Sequence, residues 1–229
     1  MSRSSTSWVV DWLTPGRYAK YLRAAGSDEA RALAIYEWNT QLAAAMLHDL
    51  SHLEVAIRNA YDAALLAHPD HAGADWIDPA VFGHLLPEHV AVDAAGNPQD
   101  KNATPRNQIR SARRACGYVE GGTVLRGKVV AEFSFGFWTY LTDSLHEKTL
   151  WVPALHKAFA PGTDRKKVHH ALASLRELRN RVAHHESVFD QDLELNRRFC
   201  VAVAGWLSPD IKAHIVSTSC VQELLASKP

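Results

Sequence analysis

Cysteine is scarce in this 229-residue chain: Cys116, Cys200 and Cys220 are an odd number with no CxxC spacing. A disulfide framework or a zinc ribbon is therefore not what organises it, and a reducing cytosol suits it. No apolar run approaches the length of a membrane span, about 20 residues. Near the N-terminus Trp8, Val9 and Val10 are followed at once by Asp11, so the apolar core of a signal peptide is missing. Net charge is missing too, because Lys+Arg and Asp+Glu are 25 each. A dedicated non-specific nucleic-acid binder is basic overall, so any such contact here has to come from a local patch. There is no HExxH motif, and neither a serine nor a cysteine triad has a local signature. His48 and His52 are four apart, a spacing from which two imidazoles on a helix can reach one metal. His146-Glu147 is followed by Lys-Thr-Leu, and the adjacent pairs His169-His170 and His184-His185 point in different directions from a helix. The expectation is a cytoplasmic chain with no membrane contact, no metal and no cofactor.

What is present is material for helices. With 47% hydrophobic residues the chain can bury a sizeable core. Residues 2–7 read as a frayed Ser/Thr-rich start and Trp8–Trp12 as a surface cover. Thr14-Pro15 reads as a cap and first helical position, for a helix to about Leu22 that Gly26 closes. Asp28 then caps a stretch to about Leu66 that has neither Gly nor Pro. Its Leu42, Met46, Leu50, Leu53 and Ile57 step by three and four, which predicts one long core helix or two joined by a bend.

Pro69 to about Pro105 is the least regular part, with a short helix at Pro79–Leu86 and an exposed loop over residues 94–99. Thr104-Pro105 is expected to cap a helix from Arg106 to about Val119, stopped by Gly121-Gly122. That helix carries Arg106, Arg110, Arg113 and Arg114, either a solvated face or a phosphate-facing patch. Gly122 to Val129 comes within one residue of a P-loop, but Val129 stands where a Ser/Thr is needed and no buried strand precedes the glycines. Phe133, Phe135, Phe137, Trp138 and Tyr140 form an aromatic centre that reads as core. Further helices are expected over 165–184, 191–206, after Ser208-Pro209, and around Val221–Ala226. The fold class is all-α, divided as an N-terminal segment with a short helix (1–26) and a single helical domain (27–229).

The densest chemistry lies between Leu175 and Phe189. At about 100° per residue, Leu175, Leu178 and Val182 fall within roughly 60° of one another, a stripe for burial. On the adjoining face Arg176, Arg179, Asn180 and His184 fall within an arc of roughly 140°. Two guanidiniums, an amide and an imidazole suit a phosphodiester: the imidazole can move a proton near neutrality, and a guanidinium offers a fork of donors to phosphate oxygens. The same residues on one face also describe an ordinary solvated surface, and spacing alone leaves both readings open.

Arg179-Asn180-Arg181-Val182-Ala183-His184 has the form Arg-Asn-x-x-x-His, which resembles the signature of the HEPN superfamily of RNA-cleaving and RNA-binding helical domains. The wider phrase Leu178–Glu186 is similar to the Abi-like (abortive infection) bacterial proteins of that superfamily. So are Leu53–Ala60, the run from Phe133 to Trp138, and Thr149–Pro153, so the resemblance spans about residues 30–190, with C-terminal helices over 190–227. It implies a HEPN-like bundle of long antiparallel helices with short peripheral ones. It also implies metal-independent RNA cleavage by Arg179, Asn180 and His184 through the ribose 2′-hydroxyl, in phage defence or as a toxin. One Arg-x4-His motif per chain implies a homodimer with a composite cleft. Arg176, Arg181, His185, Glu186, Glu54, Arg58 and Asn59 would bind RNA or support the site. The four-residue spacing of Glu54 and Arg58 allows a pair along their helix, either plain surface stabilisation or support beside the RNA site. His185, on a different face from His184, has packing or capping as its other reading, and Arg179 and Arg176 are the candidate partners of Glu186. A neutralising antitoxin, protein or RNA, is a further implied partner. A non-catalytic RNA-binding or toxin–antitoxin interaction protein of the same fold is the alternative.

Overall fold

The computed structural model describes residues 7–71, 74–119 and 122–229. Helices dominate: α1 (Ser7–Leu13), α2 (Pro15–Ala24), α3 (Glu29–Leu66), α4 (Pro79–Leu85), α5 (Ala103–Cys116), α6 (Arg126–Ala131), α7 (Phe135–Tyr140), α8 (Arg165–Ala183), α9 (Leu193–Leu207), α10 (Pro209–Thr218) and α11 (Val221–Ala226). A chain of short 3₁₀ and π turns links α7 to α8.

The spine is α3. Its 38 residues make a rod of roughly 57 Å at 1.5 Å per residue. Asp28 starts it, its carboxylate accepting from the Arg31 N–H at 2.9 Å, which satisfies one of the donors every helix start leaves open. Ile35, Leu42, Met46, Leu50, Leu53, Ile57 and Tyr61 are all buried along it, so the expected stripe belongs to one continuous helix and not to two. α2, α8, α9, α10 and α11 pack on α3, and α9 also packs against α8 and α10. Buried side chains from Val9 to Val221 form one contiguous core. Within it Phe133, Phe137, Trp138 and Trp76 stack and cross edge to face, so these rings and that of Phe135 are core, while Tyr140 is only partly buried.

Several local expectations change. Val90–Val92 and Pro98–Asp100 pair as an antiparallel hairpin, Val90 opposite Asp100. The loop expected there is its turn, in which Asp93 accepts from the Ala95 and Asn97 N–H groups and Gly96 takes φ 86°. Thr14 stands before α2 with φ 66° and makes no side-chain cap. α5 begins at Ala103, so Pro105 falls inside its first turn, where a missing N–H costs nothing. It stops at Cys116, with Gly117 left-handed and the Tyr118 N–H returning to the Arg113 carbonyl. Gly121 lies outside the described residues, as do residues 2–6, on which the frayed start was placed. Trp8 and Trp12 stack on each other and stay half exposed, while Val9 and Leu13 anchor α1 to the core.

Candidate functional site

α8 carries the candidate site, and its sequence explains both its ends. Asp164 accepts from the Lys166 and Lys167 N–H groups. Val168, Ala171, Leu172, Leu175, Leu178 and Val182 are buried, each Val or Leu side chain contributing about 1.5–3 kcal/mol. The C-terminus closes in a Schellman motif: the Glu186 N–H bonds to the Arg181 carbonyl at 2.9 Å and the His185 N–H to that of Val182 at 3.0 Å. The left-handed position of this motif, φ 54°, is held by His185 where glycine is usual.

The apolar contact that commonly braces such a turn is replaced by an ion pair, Arg181 to Glu186 at 3.6 Å. Glu186 is therefore not the partner of Arg179 or Arg176. Beyond the turn, Asn39 of α3 accepts from the backbone N–H groups of Val188 (2.8 Å) and Phe189 (3.2 Å). Phe189 also packs on Tyr21, and Lys20 donates to the buried Ser187. The end of α8 is thus tied to α2 and α3. A groove of about 380 Å³ lies there, lined by Arg17, Tyr21, Tyr36, Asn39, His185 and Glu186 among others.

Arg179 is half-buried and faces α3, where its Nε lies 3.8 Å from a carboxylate oxygen of Glu54. The Glu54–Arg58 pair that the spacing allows along α3 is not among the close ion pairs of the described residues. The carboxylate is drawn instead across the helix interface by the nearer guanidinium. Burial raises the Glu54 carboxyl above its ordinary range, opposed by Arg179, Arg58 and the Phe135 N–H at the start of α7. Arg176 passes over the same region, its Cδ 3.5 Å from the point a Cβ on Gly136 would occupy. Glu54, Arg58, Arg176 and Arg179 thus converge where α3, α7 and α8 meet.

Asn180 and His184 are exposed, and no hydrogen bond or ion pair holds either side chain among the described residues. Asn59 is exposed on α3. The predicted residues therefore sort into three sets: a braced cationic cluster (Arg176, Arg179, Glu54, Arg58), free polar groups (Asn180, His184, Asn59), and the helix-closing turn (Arg181, His185, Glu186).

The arginines of α5 are less free than a patch requires. Arg106 pairs with Asp100 and donates to the Leu86 carbonyl. Arg113 pairs with Asp78 and donates to the Ile77 carbonyl. Both staple the segment before the hairpin to α5. Arg110 lies over Phe82 and Arg114 reaches Ser111.

Sequence reasoning missed the buried polar groups that position these parts. Asn39 sits in register with Ile35, Leu42 and Met46, and an amide in an apolar stripe is the signal that would have found it. His146, also buried, joins Asp143 at 2.7 Å and Asn102 at 2.9 Å. Burial works against the Asp143 charge, but the hydrogen bonds and charge of His146 outweigh it and hold the carboxyl below its usual range. A groove of about 480 Å³ between α9 and α10 is lined by Arg197, Arg198, Trp206 and Lys212, with neither an imidazole nor a carboxylate in its lining. Among the described residues no group of three or more His, Cys, Asp or Glu is arranged to hold a metal ion, and no helix is long and apolar enough to cross a membrane. The chain matches no protein-family model, no curated protein and no solved structure.

Proposed function

We propose that this chain is a metal-independent endoribonuclease of HEPN type, working as a homodimer. The observation that carries the reading is the last turn and a half of α8, where a braced guanidinium (Arg179) precedes an unpartnered amide and an unpartnered, exposed imidazole. A side chain serving only to pack would be buried, and His184 is not. In this reading His184 takes the proton of the ribose 2′-hydroxyl or gives one to the leaving 5′-oxygen. Arg179 neutralises charge building on the phosphorane-like transition state, and Asn180 orients the imidazole or a phosphate oxygen. Glu54 draws Arg179 toward α3 at 3.8 Å without a hydrogen bond, and leaves its buried Nε–H without a hydrogen-bond acceptor. The nucleophile belongs to the substrate, so RNA is cut to 2′,3′-cyclic phosphate and 5′-hydroxyl ends and DNA is inert.

One imidazole leaves the second proton transfer unserved. A two-fold pairing of α8 with a second copy would bring another His184 to the same phosphate. The resemblance of Leu178–Glu186 to Abi-like proteins makes phage defence by abortive infection, or toxicity restrained by a protein or RNA antitoxin, the biological setting of this proposal.

The test incubates purified protein with labelled single-stranded RNA in EDTA, beside Arg179→Ala and His184→Ala. The expected result is cyclic-phosphate products that fall by about 10²-fold or more in each variant. RNA bound but uncut would replace this reading with a non-catalytic RNA-binding protein of the same fold.

A further inference from the structure

On α3, the helix that also carries Glu54 and Arg58, two imidazoles face each other. The Nε2 atoms of His48 and His52 lie 3.3 Å apart. Their rings stand nearly perpendicular, with centroids 4.7 Å apart. The other nitrogen of His48, Nδ1, is 3.1 Å from a carboxylate oxygen of Asp49. Asp49 is buried, and its second oxygen accepts from the Ser219 hydroxyl at 2.6 Å. A carboxylate can only accept here, so His48 carries its proton on Nδ1 and turns the Nε2 lone pair toward His52.

This arrangement has the inner and outer parts of a transition-metal site. Two ligands at about 2.05 Å on a tetrahedral ion stand about 3.3 Å apart, whereas neighbouring ligands at a right angle stand about 2.9 Å apart. In the metal-free chain the 3.3 Å approach is a hydrogen bond from the His52 Nε2–H to the His48 Nε2 lone pair. The same separation matches the tetrahedral one, so an ion can replace the shared proton without moving either ring far. A carboxylate behind the first imidazole fixes its tautomer and ring orientation, as the supporting shell of a metal-bound histidine commonly does. His48 is exposed and His52 half-exposed, so an ion can enter and water can complete its coordination. His214 of α10 stands edge-on to His52 at 5.0 Å, walling one side with a third imidazole. Imidazole ligands without carboxylate in the first shell select Zn²⁺, Cu²⁺ or Ni²⁺ over Mg²⁺ and Ca²⁺.

We infer that His48 and His52 form a two-histidine binding site for a divalent transition-metal ion such as Zn²⁺. The site is separate from the proposed ribonuclease centre and does not depend on that reading.

The experiment titrates Zn²⁺ into the untagged chain by calorimetry, with Mg²⁺ in a parallel arm. Variants are His48→Ala, His52→Ala, Asp49→Asn and, as a control on the exposed hairpin side, His89→Ala. The expected result is one Zn²⁺ per chain and no Mg²⁺. Either histidine substitution should abolish the binding, Asp49→Asn should weaken it by about 10–100-fold, and His89→Ala should leave it unchanged. Circular dichroism of His52→Ala, an exposed-side change, separates lost binding from lost fold. No stoichiometric uptake by the wild type, or uptake that survives both histidine substitutions in folded protein, overturns the assignment.

Discussion

At the scale of single residues, His185 and Glu54 each bear a measurable cost. His185 holds a left-handed backbone at φ 54°, a conformation that disfavours an L side chain by about 1–2 kcal/mol. Glycine removes that penalty but is freer in the unfolded chain, which returns part of the gain. His185→Gly is therefore expected to raise unfolding free energy by about 0.5–1 kcal/mol, and His185→Ala to give no such gain, both read from urea midpoints. Glu54 lies in a setting that raises its carboxyl pKa, chiefly by burial. The folded state then keeps a proton that the unfolded state has already released, so stability falls as pH rises through the window between the two values. Glu54→Gln cannot titrate. Its stability relative to wild type is expected to increase from below the ordinary carboxyl pKa, about 4.3, upward through the raised value. Unfolding curves of both proteins across that range check the sign; a flat difference would mean that Arg179 and Arg58 cancel the burial.

At the scale of elements, the end of α8 is secured by a helix distant in sequence. Asn39 supplies one oxygen to two backbone N–H groups, at Val188 and Phe189. Asn39→Ala leaves both without that partner and is expected to cost about 2–4 kcal/mol. Thr40→Ala, at an exposed neighbour whose hydroxyl only returns to its own helix, is expected to change stability by less than about 0.5 kcal/mol. If the turn after α8 also positions His184, RNA cleavage should drop in Asn39→Ala below what its folded fraction predicts. The helices themselves were legible because their stripes repeat: Leu42 to Ile57 and Leu175 to Val182 are buried as their spacing requires. The hairpin was not, because Val90 and Val92 are exposed and its register is pinned by hydrogen bonds to Asp93 and Asp100. Neither leaves a periodic apolar trace.

Across the whole molecule, the candidate site was readable as a list of residues on one helix face. The partners of those residues were not. Which carboxylate meets Arg179 depends on how α3 and α8 pack, and spacing within α3 pointed to Arg58 instead. Arg179 and Arg176 are the partners that the sequence offers Glu186, but the left-handed step at His185, which no spacing shows, turns Glu186 back toward Arg181. The second arginine cluster looked like a free surface because Asp78 and Asp100, which bind Arg113 and Arg106, lie in the segment with the weakest pattern. Charge pairs across irregular chain are decided by tertiary contact and carry no local signal.

The order of packing around α3 also has a consequence for synthesis. Trp38 is bonded through its indole N–H to the Leu224 carbonyl, and α9, α10 and α11 all lie on the same rod. When α3 emerges from the ribosome, these covers are still untranslated. About 130 residues separate its end from the start of α9, or roughly 6–25 s at about 5–20 residues per second. Through that interval the apolar side of α3 has only α2 and then the middle of the chain to shield it. Nascent chains stalled in this window are where chaperones would find the most to hold.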